Sequence, residues 1–447
     1  MDRELFLGMD LGSTLCKAAV CDRRGGIIAE GHSLSPAGGA GPGPEEAQLS
    51  AWWRAACTAV QAAFAGRAED RRRIRAIGVS CRYQAGIFLD TDGRAVAAPG
   101  RIPATRALPE VREVHEANGW GPHGPLACGY GPFLVGAALW LRRRHPRIHR
   151  RVRRVGALHD YIVFRLSGAW VTDYATGPGG DRWPVAPCAL AGFESSAFPA
   201  PLPMDTRAGG LATGAARDLD LPAGIPVAVG AQDGACANFG AGATERGDGC
   251  VTLSTNAVVR IVTGTLVPGV FGYVVAPSGR WAWVRGIPGG GRFLDAVVAA
   301  LDGCPTPATA DRHAALSPHE PSSPPVRVLD LPVRDVKEIP MRVRALRRSG
   351  HAPGAIYAGA VDDIVSAVRG LVAEANATGV TARRYVLTGG LTAAPLLPKR
   401  LAEALDAPVT AEVREAAARG AARLAAMTVG QRAERIWEEH TPEGASG

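Results

Sequence analysis

The stretch "ELFLGMDLGSTLCKAAVCDRRGGIIAEG", Glu4 to Gly31, decides the fold. Apolar residues over 5–10 and 15–21 make two strands around a Gly-Ser-Thr turn, and "DRRGG" turns the chain into a third strand, "IIAEG". "GPGPEEAQLSAWWRAACTAVQAAFAG" follows as a loop and a helix. Ser50 is placed to cap that helix, and Trp53, Ala56, Val60 and Phe64 fall on one face. "IRAIGVS" and "AGIFLD" read as further strands, the second ending in the turn "DTDG". Three strands, a helix and more strands make an α/β unit, its sheet mixed where the hairpins lie.

The same pattern returns later. "GDGCVTLSTNAVVRIVTG", Gly247 to Gly264, is again two apolar runs around a small polar turn. After it come the amphipathic helix "AIYAGAVDDIVSAVRGLVAEA", the strand "RYVLTGG" and a last helix, "EVREAAARGAARLAAM". Two hairpins with Ser/Thr-rich turns, each followed by α/β material, suggest duplication of one architecture. The middle, Gly119 to about Pro199, reads as helical and loop-rich, with "PFLVGAALWLRRRHP" a helix ended by Pro146 and "DYIVFRLSGAWVTDYAT" a helix leading into a turn. The Pro-rich residues 302–350 read as a long connection or edge, with room for two short strands.

Length and composition narrow the function classes. The chain has 447 residues, more than one core usually holds, so two domains are expected. No apolar run is long enough to span a bilayer, and the start lacks the basic flank and apolar core of a signal peptide, so a cytoplasmic protein is expected. The nine cysteines are scattered without a CxxC pair, which disfavours disulfides and thiolate metal sites. Much of the net charge of +8 sits in "LRRRHPRIHRRVRR", Leu141 to Arg154, without aromatic interleaving. That segment reads as a solvated helix end and turn, and no nucleic-acid partner is expected.

Several segments are suited to chemistry. In "GMDLGSTLCK", Asp10 leaves a buried strand for a turn in which Gly12, Ser13 and Thr14 can aim donors at an anion, with Lys17 on the return strand. An acid beside such a turn can hold Mg²⁺ through water. The competing reading is an ordinary hairpin. In "STNA", Thr255 and Asn256 can offer donors to a phosphate, although a plain polar turn explains them as well. "RGIPGGGRFLD", with Gly289 and Gly290, and "VLTGGLTAAP", with Gly389 and Gly390, both suit close approach of a ligand to bare backbone, or simply tight turns.

"GAQDGACANFGAGA", Gly230 to Ala243, holds one charge, Asp233, after the apparent strand "GIPVAVG". A carboxylate there can receive a proton from a substrate hydroxyl. It can equally cap the small-residue helix that follows, and the two roles are compatible.

Taken in order, these segments resemble the FGGY family of carbohydrate kinases, of the actin-like ATPase superfamily. The opening hairpin is similar to the family's first phosphate hairpin. "IGVSCRYQAGIFLDTDG" resembles its sugar-contacting strand, "LSGAWVTDYAT" its LTG…TDYS segment, and "AVGAQDGACANFGAGA" the G-x-x-D segment of the catalytic base. "VLTGGLTAAPLLPKRLAEALDAPV" with the last helix resembles the adenosine-binding segment and closing helix. The resemblance implies two ribonuclease-H-like domains with a cleft between them: a sugar-binding domain at 1–244 and an ATP-binding domain at 245–447. It implies ATP and Mg²⁺ as cofactors and a small sugar, polyol or cyclitol as acceptor, with a homodimer compatible. Asp233 would be the catalytic base and Asp10 the metal ligand, with Ser13, Thr14 and Thr255 bracketing the phosphates. Arg82, Tyr83, Gln84 and Arg106 match positions of sugar contact.

Departures from the family pattern are equally visible. "IPATR", Ile102 to Arg106, keeps only the Arg of W-x-D-x-R; "RYQA" replaces Q-M-H-G; "STN" replaces G-T-S; and no G-E-R-x-P precedes the long helix. Arg82 is open to two readings, contact with an acidic or phosphorylated substrate or a structural ion pair. A catalytically silent nucleotide- or sugar-binding regulator of the same fold is the alternative. The presence of both Asp10 and Asp233 disfavours it.

Overall fold

The opening stretch forms the three strands its alternation predicts: Leu5–Leu11, Leu15–Asp22 and Ile27–Leu34. The computed structural model describes residues 4–36, 45–83, 85–97, 107–118, 130–301, 311, 326–328 and 336–430. The first strand pairs antiparallel with the second and parallel with Ile74–Cys81. The sheet runs Arg207–Gly210, Pro226–Ala228, Ile74–Cys81, Leu5–Leu11, Leu15–Asp22, Ile27–Leu34, with the short strand Ala231–Gln232 also beside Ile74–Cys81. The central strand Leu5–Leu11 is buried throughout, as a strand covered on both faces must be.

The helix Glu45–Ala63 covers one face, burying Trp53, Ala56 and Val60, with Phe64 just past its end. Ser50 lies inside this helix and does not cap it. The helix starts earlier, at Glu45. The predicted helix "PFLVGAALWLRRRHP" is Gly131–Arg144, with the basic stretch forming its last turn and a short helix Pro146–His149 beyond. "DYIVFRLSGAWVTDYAT" begins as the helix Leu158–Ser167, stops at Gly168 with φ 77°, and continues as the strand Val171–Asp173 rather than a turn.

The chain divides into two compact units: Met1–Thr244 with Gly264–Ala282 and Glu415–Gly447, and Glu245–Thr263 with Trp283–Arg414. In the second unit Asp248–Leu253 pairs antiparallel with Ala257–Thr263 and parallel with Arg384–Thr388. The six-stranded sheet that holds them runs Gly272–Val274, Trp281–Ile287, Ala257–Thr263, Asp248–Leu253, Arg384–Thr388, Val409–Val413. Asp248–Leu253 thus has an antiparallel hairpin partner on one side and a parallel strand on the other, as Leu5–Leu11 has, so the two hairpins head the same mixed α/β architecture twice. The predicted amphipathic helix is Pro353–Ala377. Within the stretch expected to be a connection, Ile339–Arg348 is a helix, and its basic exposed face disguises the period of Ile339 and Val343, the residues it buries.

The last helix starts later than expected, at Ala416, because "EV" closes the strand Val409–Val413. Glu415, at φ 48°, turns the chain into it. Ala416–Met427 then lies within the first unit against Leu5–Leu11, Ile74–Cys81 and the helix Asp233–Gly240. Backbone meets backbone at each crossing. A Cβ on Gly8 would stand 1.8 Å from the Ala418 carbonyl oxygen, and one on Gly78 1.8 Å from that of Ala421.

Candidate active site

Cross-strand register sets a row at one edge of the first sheet. Lys17 stands opposite Asp10, Asp10 opposite Ser80, and Ser80 opposite Ala231. Leu5–Leu11, Ile74–Cys81 and Ala231–Gln232 are parallel, so Asp10, Ser80 and the residue after Gln232 all sit at carboxyl ends of strands. In open α/β sheets that edge is where ligands bind. Asp233 is that next residue.

Asp10 is buried and accepts a 2.7 Å hydrogen bond from Ser80 Oγ. Burial pushes its carboxyl up to about 7; the Ser80 bond opposes the rise, and the charge of Asp233 adds to it. Mutual repulsion of two carboxylates at one sheet edge is what a hard divalent cation relieves, so the donor set fits Mg²⁺. Ser80 was missed in the sequence, although it closes the strand "IRAIGVS" in register with Asp10.

Asp233 opens the helix Asp233–Gly240 and is half-buried. The cap of that helix is Gln232, whose Oε1 accepts from Gly234 N at 2.8 Å; Asp233 Oδ1 shares the same N–H, also at 2.8 Å. The capping role that the sequence offers for Asp233 falls instead to the residue before it. Gln232 adopts the extended backbone of a cap (φ −63°, ψ 156°), which leaves Asp233 in the first turn. Gly230 upstream has φ 73°, and a Cβ there would stand 2.0 Å from the Val79 carbonyl oxygen, so only glycine brings this strand end against its neighbour.

The hairpin turn after Asp10 is tight. Gly12 N donates to the Leu15 carbonyl at 3.1 Å, and Ser35 Oγ donates to the Gly12 carbonyl at 2.7 Å. Gly12 thus uses its N–H inside the turn, and Ser13 and Thr14 form the exposed tip. Lys17 Nζ lies 2.8 Å from Glu415 Oε2, a partner almost four hundred residues away in sequence that no local pattern announces.

Around Tyr83, two residues past the strand Ile74–Cys81, aromatic rings gather. Tyr83 and Tyr130 stack at 3.9 Å, and the Tyr83 hydroxyl donates to the Tyr130 carbonyl at 3.0 Å. Burial pushes the Tyr83 phenol well up, with the charges of Tyr130 and Asp160 adding to the rise. Arg82 is half-exposed, and its backbone N–H donates to Leu11 O at 3.0 Å. Gln84 and Arg106 lie outside the described residues. Behind this region His159 is fully buried, with Nδ1 3.2 Å from Asp160 Oδ1 and 3.9 Å from Asp173 Oδ2. Burial opposes its charge, but the two carboxylates outweigh that and hold its pKa above the ordinary value.

In the second unit the glycines of "GIPGGG" approach the unit's own hairpin. Gly289 N donates to Asn256 Oδ1 at 2.9 Å, and a Cβ on Gly291 would stand 1.8 Å from the Ser254 carbonyl oxygen. Gly290 fits against Ala257. Thr255 is thereby held in the turn between Leu253 and Ala257. Gly389, at φ 101°, approaches Leu253, while the space a Cβ would take on Gly390 is open.

Residues 5–240 match the FGGY family of carbohydrate kinases, N-terminal domain, and residues 343–429 match its C-terminal domain. The chain belongs to the FGGY family of carbohydrate kinases. An autoinducer-2 kinase of Salmonella choleraesuis is 27% identical over 244 residues, covering 51% of this chain and 45% of that protein. A xylulose kinase of Streptomyces rubiginosus is 27% identical over 278 residues, covering 58% of this chain and 54% of its own. The chain thus spans about half the length of the curated relatives it matches. Among solved structures, the xylulose kinase from Rhodospirillum rubrum superposes with a TM-score of 0.74 at 21% identity, covering 98% of this chain and 92% of that one. The gluconate kinase from Lactobacillus acidophilus gives a TM-score of 0.72 at 17% identity, covering 98% and 92%. These likenesses show the two-domain actin-like ATPase fold in this FGGY chain. Among the described residues no helix is long and apolar enough to cross a membrane.

Proposed function

We propose that this FGGY protein transfers the γ-phosphoryl group of Mg-ATP to a hydroxyl of a small sugar, polyol or cyclitol. The observation that carries the reading is the meeting of Asp10 and Asp233 at the carboxyl edge of one sheet, close enough that the charge of Asp233 raises the Asp10 pKa.

Asp233 accepts the proton of the acceptor hydroxyl as that oxygen attacks phosphorus. Gln232 fixes the backbone that carries it. Asp10, held by Ser80, is the carboxylate that would hold Mg²⁺, which neutralises phosphate charge when bound. Ser13 and Thr14 offer hydroxyls and backbone N–H groups to phosphate oxygens. Lys17 supplies positive charge beside Asp10, with Glu415 fixing its position. Arg82 and Tyr83 border the acceptor. In the second unit, Thr255 and Gly390 are the positions we assign to the nucleotide, with Gly289, Gly290 and Gly389 shaping their turns. Positioning and charge neutralisation account for most of the rate enhancement in such a transfer.

The test is ADP release from Mg-ATP over pentoses, hexoses, polyols and cyclitols, for the wild type and Asp233→Asn. Acceptor-dependent turnover should fall by about 10²–10⁴ in the variant while ATP still binds. Equal activity in Asp233→Asn sinks the base assignment, and no turnover with any acceptor sinks the kinase reading.

A further inference from the structure

The acceptor side of the site is walled by rings. Tyr130 precedes the helix Gly131–Arg144 and stacks on Tyr83; Phe133 lies one turn on, 6.2 Å from the Tyr130 centroid and 6.4 Å from that of Tyr83. Phe271 comes from Gly264–Ala282, the segment that follows the second hairpin in sequence but belongs to the first unit. It meets Tyr130 edge to face at 5.2 Å, and Tyr273 backs it at 5.8 Å. Tyr83, Tyr130, Phe133 and Phe271 are each only half-buried, whereas Tyr273 is buried. Three separate segments of chain therefore converge to hold four rings that keep an open surface.

The wall is close to the proposed base. Cys81 stands opposite Gln232, and Tyr83 follows Cys81 by two residues, a reach of at most about 7 Å along the backbone. Wall and base therefore lie at the same end of the sheet. Among the described residues, the side-chain polar atoms of the four rings are the hydroxyls of Tyr83 and Tyr130. The Tyr83 hydroxyl is turned to the Tyr130 carbonyl, and Phe133 and Phe271 have no polar atom. A hydroxyl lodged against the Phe133 and Phe271 faces gives up water without a replacement bond, whereas a methyl or C–H-rich end loses nothing.

We propose that these rings select an acceptor with a deoxygenated, methyl-bearing end, a deoxy sugar or deoxy polyol, over its fully hydroxylated counterpart. The inference rests on the kinase reading above and adds the acceptor class. Phe271 and Phe133 are specificity-determining residues that touch the carbon skeleton away from the reacting hydroxyl.

The experiment compares 6-deoxyketohexoses with the matching ketohexoses, measuring kcat/KM for ADP release and, separately, saturation transfer from aromatic protons to the sugar methyl by NMR. The deoxy partner should be favoured by about tenfold or more, the usual worth of a matched apolar contact. Phe271→Asn should narrow that preference mainly through KM. Phe133→Leu, which keeps apolar volume, should retain it and controls for folding. Turnover that favours the hydroxylated partner, or is indifferent, overturns the wall while leaving the kinase reading intact. If no acceptor gives turnover, the kinase reading falls, and the NMR arm decides the wall: absent transfer to the methyl overturns it, and transfer that Phe271→Asn weakens supports it.

Discussion

Gly240 and Gly420 face each other across two helices with no room for a side chain on either. A Cβ on Gly240 would lie 1.9 Å from the Ala416 carbonyl oxygen, and one on Gly420 2.0 Å from that of Cys236. This contact explains why the helix after Asp233 is built of small residues. Arg423 locks the same crossing: its Nη1 donates to the Phe239 carbonyl at 2.9 Å and its guanidinium lies 4.2 Å from the Phe239 ring.

Gly420→Ala should therefore destabilise the first unit by about 1–3 kcal/mol or more, since the clash is with backbone that cannot rotate away. Urea unfolding followed by tryptophan fluorescence measures it. A loss below about 0.5 kcal/mol would mean that the helices separate freely, against the close packing described.

Removing the cap separates support from chemistry. Gln232→Ala takes one acceptor from Gly234 N and leaves Asp233 Oδ1 to hold it alone. The expected cost is about 0.5–2 kcal/mol of stability. Because Asp233 is then drawn towards its own backbone, kcat should fall while the ATP dissociation constant stays unchanged. Unaltered kcat would show that the cap does not position the base.

Both hairpins, their turns and the strand-turn-helix around Asp233 were legible in the sequence, because alternation and glycine turns are local signals. Other features were not. The Gln232 cap was hidden because Asp is the commoner capping residue and stands beside it. The pairing of Lys17 with Glu415, the seat of the closing helix against Gly8 and Gly78, and the meeting of Phe271 with Tyr130 all join residues far apart in sequence. Tertiary packing decides such contacts, and periodicity carries no trace of them.

The second hairpin offers a further test. Gly291→Ala would push a methyl group into the Ser254 carbonyl at 1.8 Å, displacing the turn that holds Thr255. If that turn serves the nucleotide, ATP affinity should drop by about tenfold or more, with the thermal midpoint lowered as well. The direct reading is titration calorimetry with a nonhydrolysable ATP analogue. A folded variant that binds the analogue like the wild type would remove Thr255 from the nucleotide site.

Asp248 gives the second unit a defined acid limit. Its carboxylate is fully buried, with Oδ1 accepting from Arg384 Nε at 2.8 Å and Arg383 Nε at 3.0 Å, and Oδ2 from Arg384 Nη2 at 2.9 Å. Burial works to raise its pKa, but the Arg384 bond, the Glu245 N–H and Arg383 outweigh it and hold the carboxyl below its ordinary 3.8. A carboxyl depressed in the folded state stabilises fully above the unfolded value, and that contribution disappears as pH falls below 3.8 and through the folded value. Both arginines are partly exposed and regain water when the carboxylate is lost, so Asp248→Asn should cost only about 1–2 kcal/mol at pH 7. The gap between wild type and variant in urea should stay constant from pH 7 to 5 and narrow below pH 4. A gap independent of pH would mean that neutral hydrogen bonds, not the ion pairs with Arg383 and Arg384, hold the start of this strand.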